Sequence, residues 1–149
     1  MKRRLLLAAA AAMLLATLPA LATDKPHRLA LQISDDTPEK MNAVLNVAGN
    51  VARYYGEKGE EIEIRIVAFN AGLNMLRTDR SPVLARLKSI SESVPNVVIE
   101  ACSNTRENMA RNEGKKPEEI PLFANAKLVP SGVVSLIELS EQGWTVLRP

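Results

Sequence analysis

The sequence predicts a three-layer α/β sandwich, with about five mostly parallel strands and helices on both faces. Two observations carry this. Strand-like and helix-like segments alternate along the chain, the order that builds a parallel sheet through right-handed crossovers. The second strand segment, Ile62 to Phe69, becomes continuously apolar at Ile66-Val67-Ala68-Phe69, as strands covered on both faces do.

Each element has its own warrant. His27 to Ser34 alternates Leu29, Leu31 and Ile33 with other residues, as a strand does. Thr37-Pro38 then supplies an N-cap and a first helical position. Met41, Val44, Leu45, Ala48, Val51, Ala52 and Tyr55 fall on one helical face, which predicts a helix over 38 to about 57, closed at Gly59. The second strand stops at Asn70-Ala71-Gly72, and a short apolar turn through Leu73, Met75 and Leu76 follows. Ser81-Pro82 opens the next helix, amphipathic through Val83, Leu84, Leu87 and Ile90. Val97 to Cys102 is the third strand, and Asn104 with Glu107 forms a capping pair for a helix to about Arg111. Residues 112 to 125 are polar and irregular, with one short turn around 118 to 123. Ala126 to Val129 is a fourth strand, Pro130-Ser131-Gly132 a turn, Val133 to Gln142 a helix ended by Gly143, and Trp144 to Leu147 a fifth strand.

Composition narrows the function. A chain of 149 residues supports one ordinary domain. Its single Cys excludes an intramolecular disulfide, a C-x-x-C redox pair and a thiolate-rich zinc or iron-sulfur site. With 19 Lys+Arg against 17 Asp+Glu, and only two Phe, two Tyr and one Trp, the chain lacks the basic stripe and stacking platforms of a nucleic-acid module.

The small positive charge comes from the N-terminus. Lys2-Arg3-Arg4, an apolar run from Leu5 to Ala16, Pro19 and Ala20-Leu21-Ala22 form the pattern of a secretory signal peptide cleaved after Ala22. The run is shorter than a membrane span requires, so no stable anchor is expected after cleavage. Taking away residues 1–22 and their three basic residues leaves 127 residues, with 16 Lys+Arg against 17 Asp+Glu and a net charge of −1. The expected domain is 23–149 and the expected compartment the periplasm, where paired thiols are oxidised. A lone Cys there is either buried and inert, or a reactive thiol whose partner comes from outside the chain.

Ligands of parallel α/β sheets collect beyond the carboxyl ends of the strands. Three such ends carry small or polar residues: Asn70-Ala71-Gly72, Cys102-Ser103-Asn104-Thr105 and Pro130-Ser131-Gly132. Cys102 precedes a helix N-terminus, where free N–H groups favour a thiolate, and Arg106 lies within reach. The same residue also reads as a small core hydrophobe. Without a second thiol or a nearby imidazole, the chemistry open to it is a persulfide, a mixed disulfide or a nucleophilic adduct. His27 reads as surface or structural, Asp35 and Asp36 as turn and capping residues, and Lys115-Lys116, Arg77 and Arg80 as solvated loop charges, the last two able to attract an anion. No metal or cofactor is implied.

The ordered set Leu31-Gln32-Ile33-Ser34-Asp35-Asp36, Val67-Ala68-Phe69 with Gly72-Leu73, Ala101-Cys102 with Asn104-Thr105, Val129-Pro130-Ser131-Gly132-Val133, and Glu141, Gly143-Trp144 with Leu147-Arg148-Pro149 resembles the DsrE/DsrF-like family of sulfur-relay proteins, in particular its small exported members. The resemblance implies a flavodoxin-like fold, a homo-oligomer and a cysteine that carries sulfur as a persulfide; Cys102 stands at that cysteine's position. Asn70-Ala71 stands where the family commonly has Gly-Pro, and Ser103 where Gly is frequent. The members whose sulfur transfer is understood are cytoplasmic.

Two functions are therefore expected. In the first, a periplasmic protein handles sulfur or thiols through a persulfide or mixed disulfide on Cys102. Asn70, Gly72, Asn104, Thr105, Arg106, Ser131 and Gly132 shape its pocket, and a sulfur donor, an acceptor protein or a small thiol is its partner. In the second, the chain is a non-catalytic ligand-binding or assembly module and Cys102 is structural. A single-chain hydrolase or dithiol oxidoreductase lacks its residues.

Overall fold

Five parallel strands form one sheet in the order β4-β3-β2-β1-β5 in the computed structural model, which describes residues 25–149. The segment expected to be a signal peptide, residues 1–22, lies outside the described residues. The strands are β1 His27–Ile33, β2 Ile62–Ala68, β3 Val97–Cys102, β4 Ala126–Val129 and β5 Thr145–Leu147, and the helices α1 Pro38–Glu57, α2 Leu84–Ser93, α3 Ser103–Glu113 and α4 Gly132–Glu141. The architecture is the expected flavodoxin-like three-layer sandwich.

Strand order decides which helix covers which face. From β1 to β4 each connection steps one strand in the same direction, so right-handed crossovers put α1, α2 and α3 on one face. The last connection runs back past β1, and that reversal puts α4 on the other face, alone there among the described residues.

The two faces follow from alternation within the strands. Leu31, Ile64, Ile66 and Ile99 meet Met41, Val44, Leu45 and Ala48 of α1 and Leu87 of α2 on the three-helix face. Ala30, Val67, Phe69 and Cys102 meet Leu136 and Leu139 of α4, and Trp144, on the other. Each fully buried aliphatic side chain contributes about 1.5–3 kcal/mol of transfer free energy, so the larger three-helix core carries most of the hydrophobic stabilisation.

Helix starts depart from expectation in two places. Thr37 caps α1 through Lys40 N as expected, and Ser131 caps α4 through Val134 N. However, α2 begins only at Leu84: the Ser81 hydroxyl accepts from Val83 N and closes a turn before the helix. Asn104 is not an N-cap. Helix α3 follows β3 directly, and the Asn104 N–H is satisfied by the Pro130 carbonyl at 3.3 Å, so a neighbouring strand end does the work expected of a side chain. α3 runs on to Glu113 and stops at Gly114, whose φ of +64° suits glycine. Of residues 112–125, two belong to α3 and Pro117–Glu119 forms a 3-10 turn.

Candidate functional site

The three predicted strand ends do meet, at the carboxyl edge of the sheet. Asn70 opens a 3-10 segment, Asn70–Leu76, with φ +49°, a conformation asparagine tolerates. Its N–H donates to Thr105 Oγ1 at 3.0 Å, which ties the end of β2 to the first turn of α3. The Asn104–Pro130 bond ties α3 in turn to the end of β4.

The glycines and Ser131 are spent on packing and capping. A Cβ at Gly72 would lie 2.2 Å from the Ile33 carbonyl oxygen, and one at Gly132 would lie 2.9 Å from Phe69 Cβ. Both residues are needed for close approach, the first of the 3-10 segment to β1 and the second of α4 to β2. The Ser131 hydroxyl is occupied by its cap. Asn104 alone of the predicted pocket side chains in the first turn of α3 is exposed.

Cys102 ends β3 with its side chain on the α4 face, against the cluster of Ala30, Val67, Phe69 and Leu136, and only 4% of the residue is exposed. It also occupies the N-cap position of α3, and no side chain caps that helix. The thiol therefore sits beneath α4 and at the positive end of α3.

Arg106 is a correction. Its guanidinium does not serve the thiol; it donates to the Ile120 carbonyl at 2.8 Å and the Glu118 carbonyl at 3.3 Å, and so fastens the 112–125 segment onto α3. One helical turn beyond Cys102, this long side chain reaches backbone acceptors that the irregular segment leaves unpaired.

Arg77 is a second correction. Rather than a solvated charge it is fully buried, with Asp79 on one side of its guanidinium and Glu113 on the other. Arg80 and Lys115 also reach Glu113. Hydrogen bonds from Arg77 and then Lys115 push Glu113 down to about 2, and the Arg77 hydrogen bond holds Asp79 below the ordinary carboxylate range. Two acidic partners leave Arg77 no free charge to draw an anion.

Sequence reasoning missed Glu100. It lies two residues before Cys102 on the same sheet face, 4% exposed, paired with Arg65 Nη1 at 2.9 Å and accepting from the Ser135 hydroxyl of α4. Arg65 in turn lies over the Trp144 ring. A carboxylate inside the apolar run Val97 to Cys102 was the available signal, since a charge in a central strand is buried only when paired.

The other candidate residues lie apart. His27 is at the opposite end of β1, bonded to Glu60 and stacked on Tyr55, and lines a separate groove of about 390 Å³ with Tyr54 and Leu147. Asp35 pairs with Arg148 near the C-terminus. Among the described residues no group of three or more His, Cys, Asp or Glu side chains could hold a metal ion, and no helix is long and apolar enough to cross a membrane.

No family model matches the chain. No curated protein matches it either. Among solved structures, it is similar to the protein of unknown function MTH1491 from Methanobacterium thermoautotrophicum, at 28% identity and a TM-score of 0.63, over 83% of this chain and 99% of that one. The likeness covers nearly the whole of that protein, and so bears out the fold.

Proposed function

We propose that the protein is an exported, periplasmic member of the DsrE/DsrF-like family that handles sulfur or thiols through Cys102. The observation that carries this reading is the position of Cys102, at the N-terminus of α3, which no side chain caps and where the ends of β2, β3 and β4 are stitched together. The Cys102 thiolate attacks the outer sulfur of a persulfide donor, the donor's S–S bond breaks, and the donor leaves as a thiol while Cys102 holds the sulfane sulfur. A second thiol then takes that sulfur by the same exchange, so no oxidant or cofactor is consumed. The partner is a sulfur donor or acceptor protein or a small thiol. Incubation of the protein with a low-molecular-weight persulfide, followed by alkylation and mass spectrometry, should add one sulfur atom at Cys102. An unmodified Cys102, under conditions that label a free thiol, rejects the reading.

The burial of Cys102 favours a second reading, in which the chain is a ligand-binding or assembly module and the cysteine is core. On that reading the thiol resists alkylation until the protein unfolds, and Cys102→Ala leaves every phenotype unchanged.

A further inference from the structure

Little holds α4 to the sheet. Of its ten residues only Leu136 and Leu139 bury a large side chain, while Val133, Val134 and Ile137 are about half exposed and add nothing to its attachment. Among the described residues, the one side-chain hydrogen bond from α4 to a strand runs from the Ser135 hydroxyl to Glu100.

The points just outside the helix are fixed more firmly. Before it, the Pro130 carbonyl accepts from Asn104 N of α3. After it, Gly143 has a φ of +85°, and Trp144 is buried with the Arg65 guanidinium 5.5 Å from its ring centroid. Arg65 is also the ion-pair partner of Glu100, at 2.9 Å. One pair of side chains thus touches the first turn of α4 through Glu100 and the residue beyond its last turn through Arg65.

We propose that α4 is a lid, which lifts from the sheet as a unit between Pro130 and Gly143 with the Ser135–Glu100 hydrogen bond as its latch, and that Cys102 meets thiols only in the lifted state. Lifting exposes two leucines and breaks one hydrogen bond, whereas unfolding exposes both cores, so the lifted state is the more populated of the two. Glu100 keeps Arg65 when the latch opens, and no buried charge is left unpaired. Exchange at Cys102 is then slowed by the lifted fraction. The use of the lid rests on the sulfur-handling reading; its motion does not.

Alkylation of Cys102 by iodoacetamide in the folded protein, followed by mass spectrometry across sub-denaturing urea, tests it. The rate should be nearly flat in urea, because little surface is exposed on lifting. Leu136→Ala, which loosens the lid, should speed alkylation by about 100-fold. Leu87→Ala, a comparable loss in the three-helix core, should leave the rate unchanged although it lowers global stability. Hydrogen exchange of the wild-type chain reads the same motion without a variant: the amides from Leu136 to Glu141 should open with the constant that alkylation reports. Alkylation that is steep in urea and is accelerated alike by both variants overturns the lid, as do α4 amides as protected as those of β2. A Cys102 that alkylates as expected yet takes no sulfur from a persulfide upholds the lid and rejects the sulfur reading. Persulfide formation while the α4 amides stay fully protected rejects the lid alone.

Discussion

Ser135 of α4 donates its hydroxyl to Glu100 of β3, two residues before Cys102 and on the same face of the sheet. The buried carboxylate thereby holds down the helix that covers the thiol. Removing the hydroxyl by Ser135→Ala leaves one Glu100 oxygen without its donor, a loss of about 1–3 kcal/mol for a buried group. The helix should then lift more often. Alkylation of Cys102 in the folded protein is expected to proceed up to about 10-fold faster, at a cost in stability measurable by urea titration.

Gly72 and Gly132 differ in what they touch, and their alanine variants should differ accordingly. The new Cβ at Gly72 meets backbone, which cannot yield without shifting β1, so Gly72→Ala should cost about 3 kcal/mol. The new Cβ at Gly132 meets the Phe69 side chain, which can turn away, so about 1 kcal/mol is expected there. Chemical denaturation of the two variants side by side checks the order.

Thr105→Val keeps the shape of the side chain and removes the acceptor for the Asn70 N–H. A loss of about 1 kcal/mol is expected. Thr105→Ser should retain most of the stability, because the hydroxyl remains.

Glu113 sets a pH dependence. Its carboxyl is depressed from an ordinary 4.5 to about 2 in the folded chain, chiefly by the Arg77 hydrogen bond. A group held lower in the folded state contributes stability above its unfolded value and loses it as the pH falls through the folded one. The contribution should therefore be complete above about pH 5 and fade between about pH 4.5 and pH 2. In Glu113→Gln, thermal melts should show a shallower loss of stability across that window. Doubling the change with Asp79→Asn leaves the buried Arg77 guanidinium without a carboxylate, and Tm at neutral pH should fall by roughly 5–10 °C.

Much of the fold was legible because its determinants are local. The Thr37 cap and the Pro38 start of α1, the bounds of β3 and the stop at Gly143 rest on neighbours within a few residues. The start of α3 was not legible as a cap, since the group that satisfies Asn104 N–H is Pro130, far along the chain. Of the candidate site, the meeting of three strand ends could be foreseen from parallel topology alone. The turning of Arg106 toward Ile120 and the pairing of Glu100 with Ser135 could not.

By itself the sequence determined the alternation of strands and helices, the one-domain scale and the presence of a single cysteine at a strand end, because periodicity, capping residues and composition are properties of the chain. Only the tertiary structure decided that, among the described residues, α1, α2 and α3 share one face and α4 covers the other, that Cys102 lies beneath α4, and that Arg77 is buried between two acids. Those facts depend on strand order and on partners distant in sequence, and burial and charge pairing have meaning only once the chain has brought them together.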